Sequence, residues 1–156
     1  AVKALATGHD KSLEQKHLQQ VAEEAEKAGL DPDDAMNFYR GWVLSSRIGG
    51  HNNLPTLLPA SITAWDAARV VHLSRLLIDA GFITSDKAWE VIARAVDLAK
   101  PRYENWQQFG DAFVVGRAFW SSQDEQDPVD RDLASFKNAV ANLLEVKTSP
   151  WLKFPY

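Results

Sequence analysis

An all-α fold is what this chain of 156 residues predicts, and three observations carry that expectation. Apolar residues recur at three- and four-residue steps through most of the chain. The segments so patterned are separated by short Gly, Pro and Asp punctuation. No window alternates β-branched and polar residues as a half-buried strand does. The architecture expected is a compact single-domain bundle of about six helices. They surround a central apolar helix at 61–81, with residues 1–10 as an N-terminal arm and residues 11–156 as the helical domain. Short connections make neighbouring helices antiparallel or steeply crossed.

Each element has its own local reason. Lys11 to Ala28 carries Leu13, His17, Val21, Ala25 and Ala28 at helical steps, and Gly29 follows as a C-terminal cap. Asp31-Pro32-Asp33-Asp34 starts the next helix: an oxygen that can cap, a proline suited to the first turn, and carboxylates at the positive end of the dipole. It runs to Ile48, where Gly49-Gly50 stops it, and His51 to Pro59 is a loop. The stretch from Ser61 to Gly81 is apolar on most sides, through Ile62, Trp65, Ala68, Val70, Val71, Leu73, Leu76, Leu77 and Ile78. A helix without a polar back is one wrapped by others. Thr84 caps a helix that ends at Ala99, with Ala88, Ile92, Ala95, Val96 and Ala99 facing inward, before Lys100-Pro101 breaks it. Glu104 to Ser121 places Trp106, Phe109, Phe113, Arg117 and Trp120 near one stripe, and Asp130 to Val146 is the last helix. The tail Ser149 to Tyr156 is expected to pack back as an extended segment.

Composition bounds the function. With 46% hydrophobic and 24% charged residues the chain is ordinary for a globular domain. Six Trp and seven Phe point to an aromatic core or an aromatic contact surface. Seventeen basic against 21 acidic residues leave a net charge of −4 and no long basic run, which argues against nucleic-acid binding. Zero cysteines exclude disulfides, thiol catalysis and thiolate metal sites, and suit a reducing, cytoplasmic setting. No apolar run has membrane-spanning length.

Catalytic patterns are missing. There is no His-Glu-x-x-His pair, no glycine-rich phosphate loop and no Gly-x-Ser-x-Gly elbow. The four histidines do not share a helical ligand spacing, and the acidic loop around Asp124, Glu125 and Asp127 lacks the glycine and terminal glutamate of a calcium loop. No metal and no cofactor are expected. The most specific signal is a pair of tryptophan–arginine stripes. Trp65, Asp66, Arg69 and His72 lie on the central helix, and Arg117 and Trp120 on the fifth. Guanidinium groups stack on rings and fork onto carboxylates. Under the structural alternative, Asp66 with Arg69 and Asp111 with Arg117 are ion pairs that lock the two helices. Under the other, the arginines with His72 form a pocket for an anionic ligand.

The order Trp65-Asp66-x-x-Arg69, Gly81-Phe82-Ile83-Thr84 with Ala88-Trp89, Trp106-x-x-Phe109, Gly116-Arg117-Ala118-Phe119-Trp120 and Ser149-Pro150-Trp151 resembles the bacterial Domain of Unknown Function 1266 family over residues 65–156. The resemblance implies a helical bacterial domain and brings no catalytic residues with it.

The function expected is a protein-interaction module. Its candidate partner is another protein, for instance a basic toxin that this acidic chain would neutralise as an immunity protein. The partner-facing candidates are Asp31, Asp33 and Asp34, then His51, Asn52 and Asn53, then Asp124, Glu125 and Asp127. The alternative is a toxin or effector enzyme domain, or a binder of small anionic ligands, built on Arg69 and Arg117.

Overall fold

The computed structural model describes residues 11–47, 52–55, 57–123 and 132–156. Among them every regular element is helical: α1 (Lys11–Lys27), α2 (Pro32–Arg47), α3 (Thr63–Asp79), α4 (Ser85–Ala99), a 3₁₀ turn (Lys100–Arg102), α5 (Trp106–Ser121), α6 (Leu133–Glu145) and a single turn α7 (Pro150–Lys153). The protein is all-α.

Local chemistry sets the ends as expected. Asp31 Oδ1 accepts from the backbone N–H of Asp33 at 2.8 Å and of Asp34 at 3.2 Å, opening α2. The Thr84 hydroxyl accepts from Lys87 N–H at the start of α4. Gly29 and Gly81 have φ of 71° and 76°, and the next residues return N–H bonds to the carbonyls of Ala25 and Leu77. That left-handed closure satisfies carbonyls the helix would leave open, and glycine adopts it without a Cβ clash.

The contacts divide the chain into two units, Ala1–Asn53 with Ala118–Arg131, and Leu54–Arg117 with Asp132–Tyr156. In the first, α1 packs along α2, and Ala25, Trp42 and Val43 are buried. Phe119 stacks on Phe38 at 6.0 Å and tilts against Trp42 at 5.8 Å. A Cβ added at Gly41 would stand 2.8 Å from the Ser122 carbonyl, so this approach of α2 requires glycine.

The second unit holds the α3–α4 pair, most of α5, α6 and the tail. Its core joins Ala64, Ala67, Ala95, Ala99, Tyr103 and Ala112, with Val70, Phe109, Phe113 and Tyr156 packed against it. The Tyr103 hydroxyl donates to the Ser61 carbonyl at 3.1 Å and accepts from Ala64 N–H at 2.9 Å. It thereby satisfies one of the first N–H groups of α3, whose own boundary residue Ile62 offers no side-chain cap.

Three expectations change. The wrapping predicted for the central helix holds in its first half, where Ala64, Trp65 and Ala67 are buried; beyond it only Ser74 is, and Val71, Leu73, Leu76 and Leu77 are exposed. An apolar stretch reports the capacity to be covered, and neighbours decide whether it is. Val96 of α4, expected inside, is exposed too. The tail is not wholly extended: Ser149 accepts from Trp151 N–H, Pro150 takes the first helical position, and α7 follows. The expected end of α2 at Ile48 and start of the last helix at Asp130 fall outside the described residues.

Candidate functional site

The tryptophan–arginine stripes converge in part. Trp65 is buried and meets Phe113 at 5.3 Å and the edge of Phe136 at 6.5 Å. The Arg69 guanidinium lies 5.8 Å from its ring centre and that of Arg117 5.6 Å, with Arg117 also 4.9 Å from the ring of Phe136. Both arginines are half-buried. Such contacts are worth roughly 0.5–2 kcal/mol, more as water is excluded. Gly116 makes the packing possible, because a Cβ there would collide with Trp65 Cβ and lie 3.2 Å from the Ile62 carbonyl. Phe136, from α6, is a member of this cluster that the two stripes did not foretell.

Asp66 and His72 are exposed. Asp111 accepts a hydrogen bond from Gln107 at 3.1 Å. Trp120 is 48% exposed and belongs to the first unit. Arg69 and Arg117 thus both lie against the Trp65 ring.

Of the partner-facing candidates, Asp31, Asp33, Asp34 and Asn52 are exposed and Asn53 is half-buried. Asp31 already has work in capping α2. His51, Asp124, Glu125 and Asp127 lie outside the described residues. Among the described residues no group of three His, Cys, Asp or Glu side chains is placed to hold a metal ion, and no helix is long and apolar enough to cross a membrane.

Two other features of the second unit stand out. Along α3 and α4 the small residues Ala67, Ser74, Ala88, Ala95 and Ala99 face in, while Leu73, Leu76, Leu77, Trp89 and Leu98 face water. Leu73, Leu76 and Leu77 fall within about 100° of arc on α3, and Leu76 is 50% exposed. Phe82, in the turn between the helices, is 78% exposed, and Trp89 on α4 is 69% exposed. Trp89 is flanked by a surface network in which Glu90 accepts from Lys87 at 2.8 Å and Arg94 at 2.6 Å. The hydrogen bond from Lys87 holds the Glu90 carboxyl below its ordinary pKa.

The second feature is a cavity of about 310 Å³, lined by Ala67, Ala68 and Val71 of α3, by Ala95, Val96 and Ala99 of α4, and by Lys100, Trp106, Phe109, Pro155 and Tyr156. Its aromatic wall is ordered by contact. Trp106 stacks on Trp151 at 4.8 Å and stands edge-on to Phe109 and Tyr156. Trp106 Nε1–H donates to the Phe154 carbonyl at 2.9 Å, drawing the tail across α5. Neither Tyr156 nor Lys100 belongs to the motifs read from the sequence. Lys100 stands at the break after α4 and Tyr156 follows Pro155, and only the folded chain places them beside α3.

The family described as Protein of unknown function (DUF1266) matches residues 3–156, so the chain belongs to it. The match reaches well ahead of Trp65, where the recognisable motifs begin, and takes in nearly the whole chain. No curated protein and no solved structure is similar enough to match.

Proposed function

We propose that this member of an uncharacterised family is a protein-interaction module and that the apolar outer face of α3, with Phe82, is where it grips its partner. The observation that supports this is the inverted packing of the α3–α4 pair, with alanines inside and leucines and a phenylalanine outside. Contiguous exposed apolar surface of that kind marks contact sites more often than it occurs by chance. Aromatic and aliphatic side chains that lose water on association are the usual source of interface energy. The net charge of −4 would steer a basic partner, since charge raises encounter rates more than it raises affinity.

Within that class, neutralisation of a basic toxin in the cytoplasm of a bacterium is the finer reading. It rests on the net charge of −4 and the absence of cysteine. The alternative is a toxin or effector enzyme domain, or a binder of small anionic ligands, built on Arg69 and Arg117, which both lie against Trp65.

The test is affinity capture from the native lysate with the wild-type chain and with the double variant Leu73→Asp, Leu77→Asp. One stoichiometric protein partner held by the wild type and lost by the variant, with helical circular dichroism and melting unchanged, is the expected result. Capture that the variant retains would move the contact surface elsewhere on the molecule. Growth arrest on expression of the chain alone would overturn the module reading in favour of a toxin.

A further inference from the structure

We infer that the cavity between α3, α4, the start of α5 and the tail is a binding site for a small aromatic carboxylate of one or two rings. The inference stands on the second unit alone and is independent of the protein-interaction reading.

Size comes first. At about 310 Å³ the cavity is roughly twice the ~150 Å³ of a dry apolar cavity that admits benzene, and it sits at the lower end of ligand pockets. The space exists because four of its lining side chains are alanines, at 67, 68, 95 and 99.

The lining chemistry selects the rest. Trp106, Phe109 and Tyr156 present three rings already set edge-on or tilted to one another, at centroid distances of 5.6, 4.9 and 6.0 Å. A flat ring laid against this wall gains offset and edge contacts of about 0.5–1.5 kcal/mol per pair beyond its buried area, which a saturated chain does not. Among the described residues Lys100 is the one charged side chain on the wall, and it is exposed. An ammonium at the rim complements a carboxylate that stays partly in water while its rings enter, so no charge is buried without a partner. The Tyr156 hydroxyl donates to the Ala99 carbonyl at 3.4 Å, a long bond that leaves it able to turn toward an incoming oxygen. Val71 and Val96, both exposed, form the mouth.

The experiment is isothermal titration calorimetry of the full chain with 1-naphthoate, set beside 1-naphthalenemethanol as its uncharged counterpart. Saturable binding of 1-naphthoate is expected, about three- to fivefold tighter than the alcohol, the increment of one exposed ion pair. Lys100→Gln should bring the two ligands level. Val96→Trp, which plugs the mouth from an exposed position, should abolish both without changing the melting temperature. Ala68→Phe is the second plug, to be used if Val96→Trp does not fold. Absence of saturable binding to the solubility limit would overturn the site. So would full affinity in a folded plugged variant. Equal affinity for acid and alcohol in the wild type would overturn the carboxylate.

Discussion

Two regions of the same unit solve the packing problem in opposite ways. Around α5, large rings are brought inward and glycine makes room: Trp65 lies against Gly116, and Trp151 against Gly110, where an added Cβ would stand 2.5 Å from Val140 and 3.3 Å from Trp151. Along α3 and α4, alanines and Ser74 are inside and Leu73, Leu76, Leu77 and Trp89 are outside. The first arrangement buries much apolar area for each residue, at 150–250 Å² per aromatic side chain. The second lets two helices approach closely but leaves those leucines and Trp89 facing water. The difference teaches that the α5 region gains its stability from buried rings, while the α3–α4 pair leaves its leucines on the surface, the feature on which the proposed contact face rests.

Substitutions can break or sharpen that contrast. The largest effect is expected from Trp65→Ala, which removes the ring between Phe113 and the two arginines. It should cost about 3–5 kcal/mol, read as the loss of unfolding free energy in urea. Gly116→Ala should follow at about 1–3 kcal/mol, because the new methyl meets Trp65 Cβ and the backbone carbonyl of Ile62, neither of which is a flexible side-chain end. If Gly116→Ala proved neutral by thermal melting, the close approach of α5 to Trp65 would be wrong.

A smaller effect should appear at high pH. Burial, and secondarily the neighbouring Tyr103, raise the pKa of Tyr156 above its ordinary 10.0. Above that value the unfolded chain releases a proton that the folded chain retains, so stability is fully present below pH 10.0 and falls as pH rises beyond it. Tyr156→Phe should flatten that part of the stability profile, measured by urea unfolding between neutral pH and the alkaline range. The smallest effect belongs to the hairpin: Leu76→Ala should change stability by no more than about 0.5 kcal/mol. A cost several times larger would show that the leucine arc is core and remove the contrast with α5.

Most helix ends were legible from the sequence because their causes are local. Asp31, Thr84, Gly29 and Gly81 act on backbone groups within a few residues, and the structure has each in the expected role. The tail was read less well, since Ser149 and Pro150 form a start signal as clear as Asp31-Pro32 but open only one turn. The site was legible in fragments. Trp65 with Arg69 on one helix is a matter of four-residue spacing, whereas Arg117 and Phe136 reach the same ring from helices far along the chain.

The sequence by itself determined the helical class, the caps and the family, because periodicity, capping chemistry and motif order are properties of neighbouring residues. Only the tertiary structure decided which apolar arcs are covered. A helix with apolar residues on most sides can bury any of them, and the choice fell to contacts between distant residues: Tyr103 with Ala64, Trp106 with Phe154, and the alanines of α3 and α4 in one core. Those contacts placed the small residues inside, the leucines in water, and a cavity where the tail crosses α5.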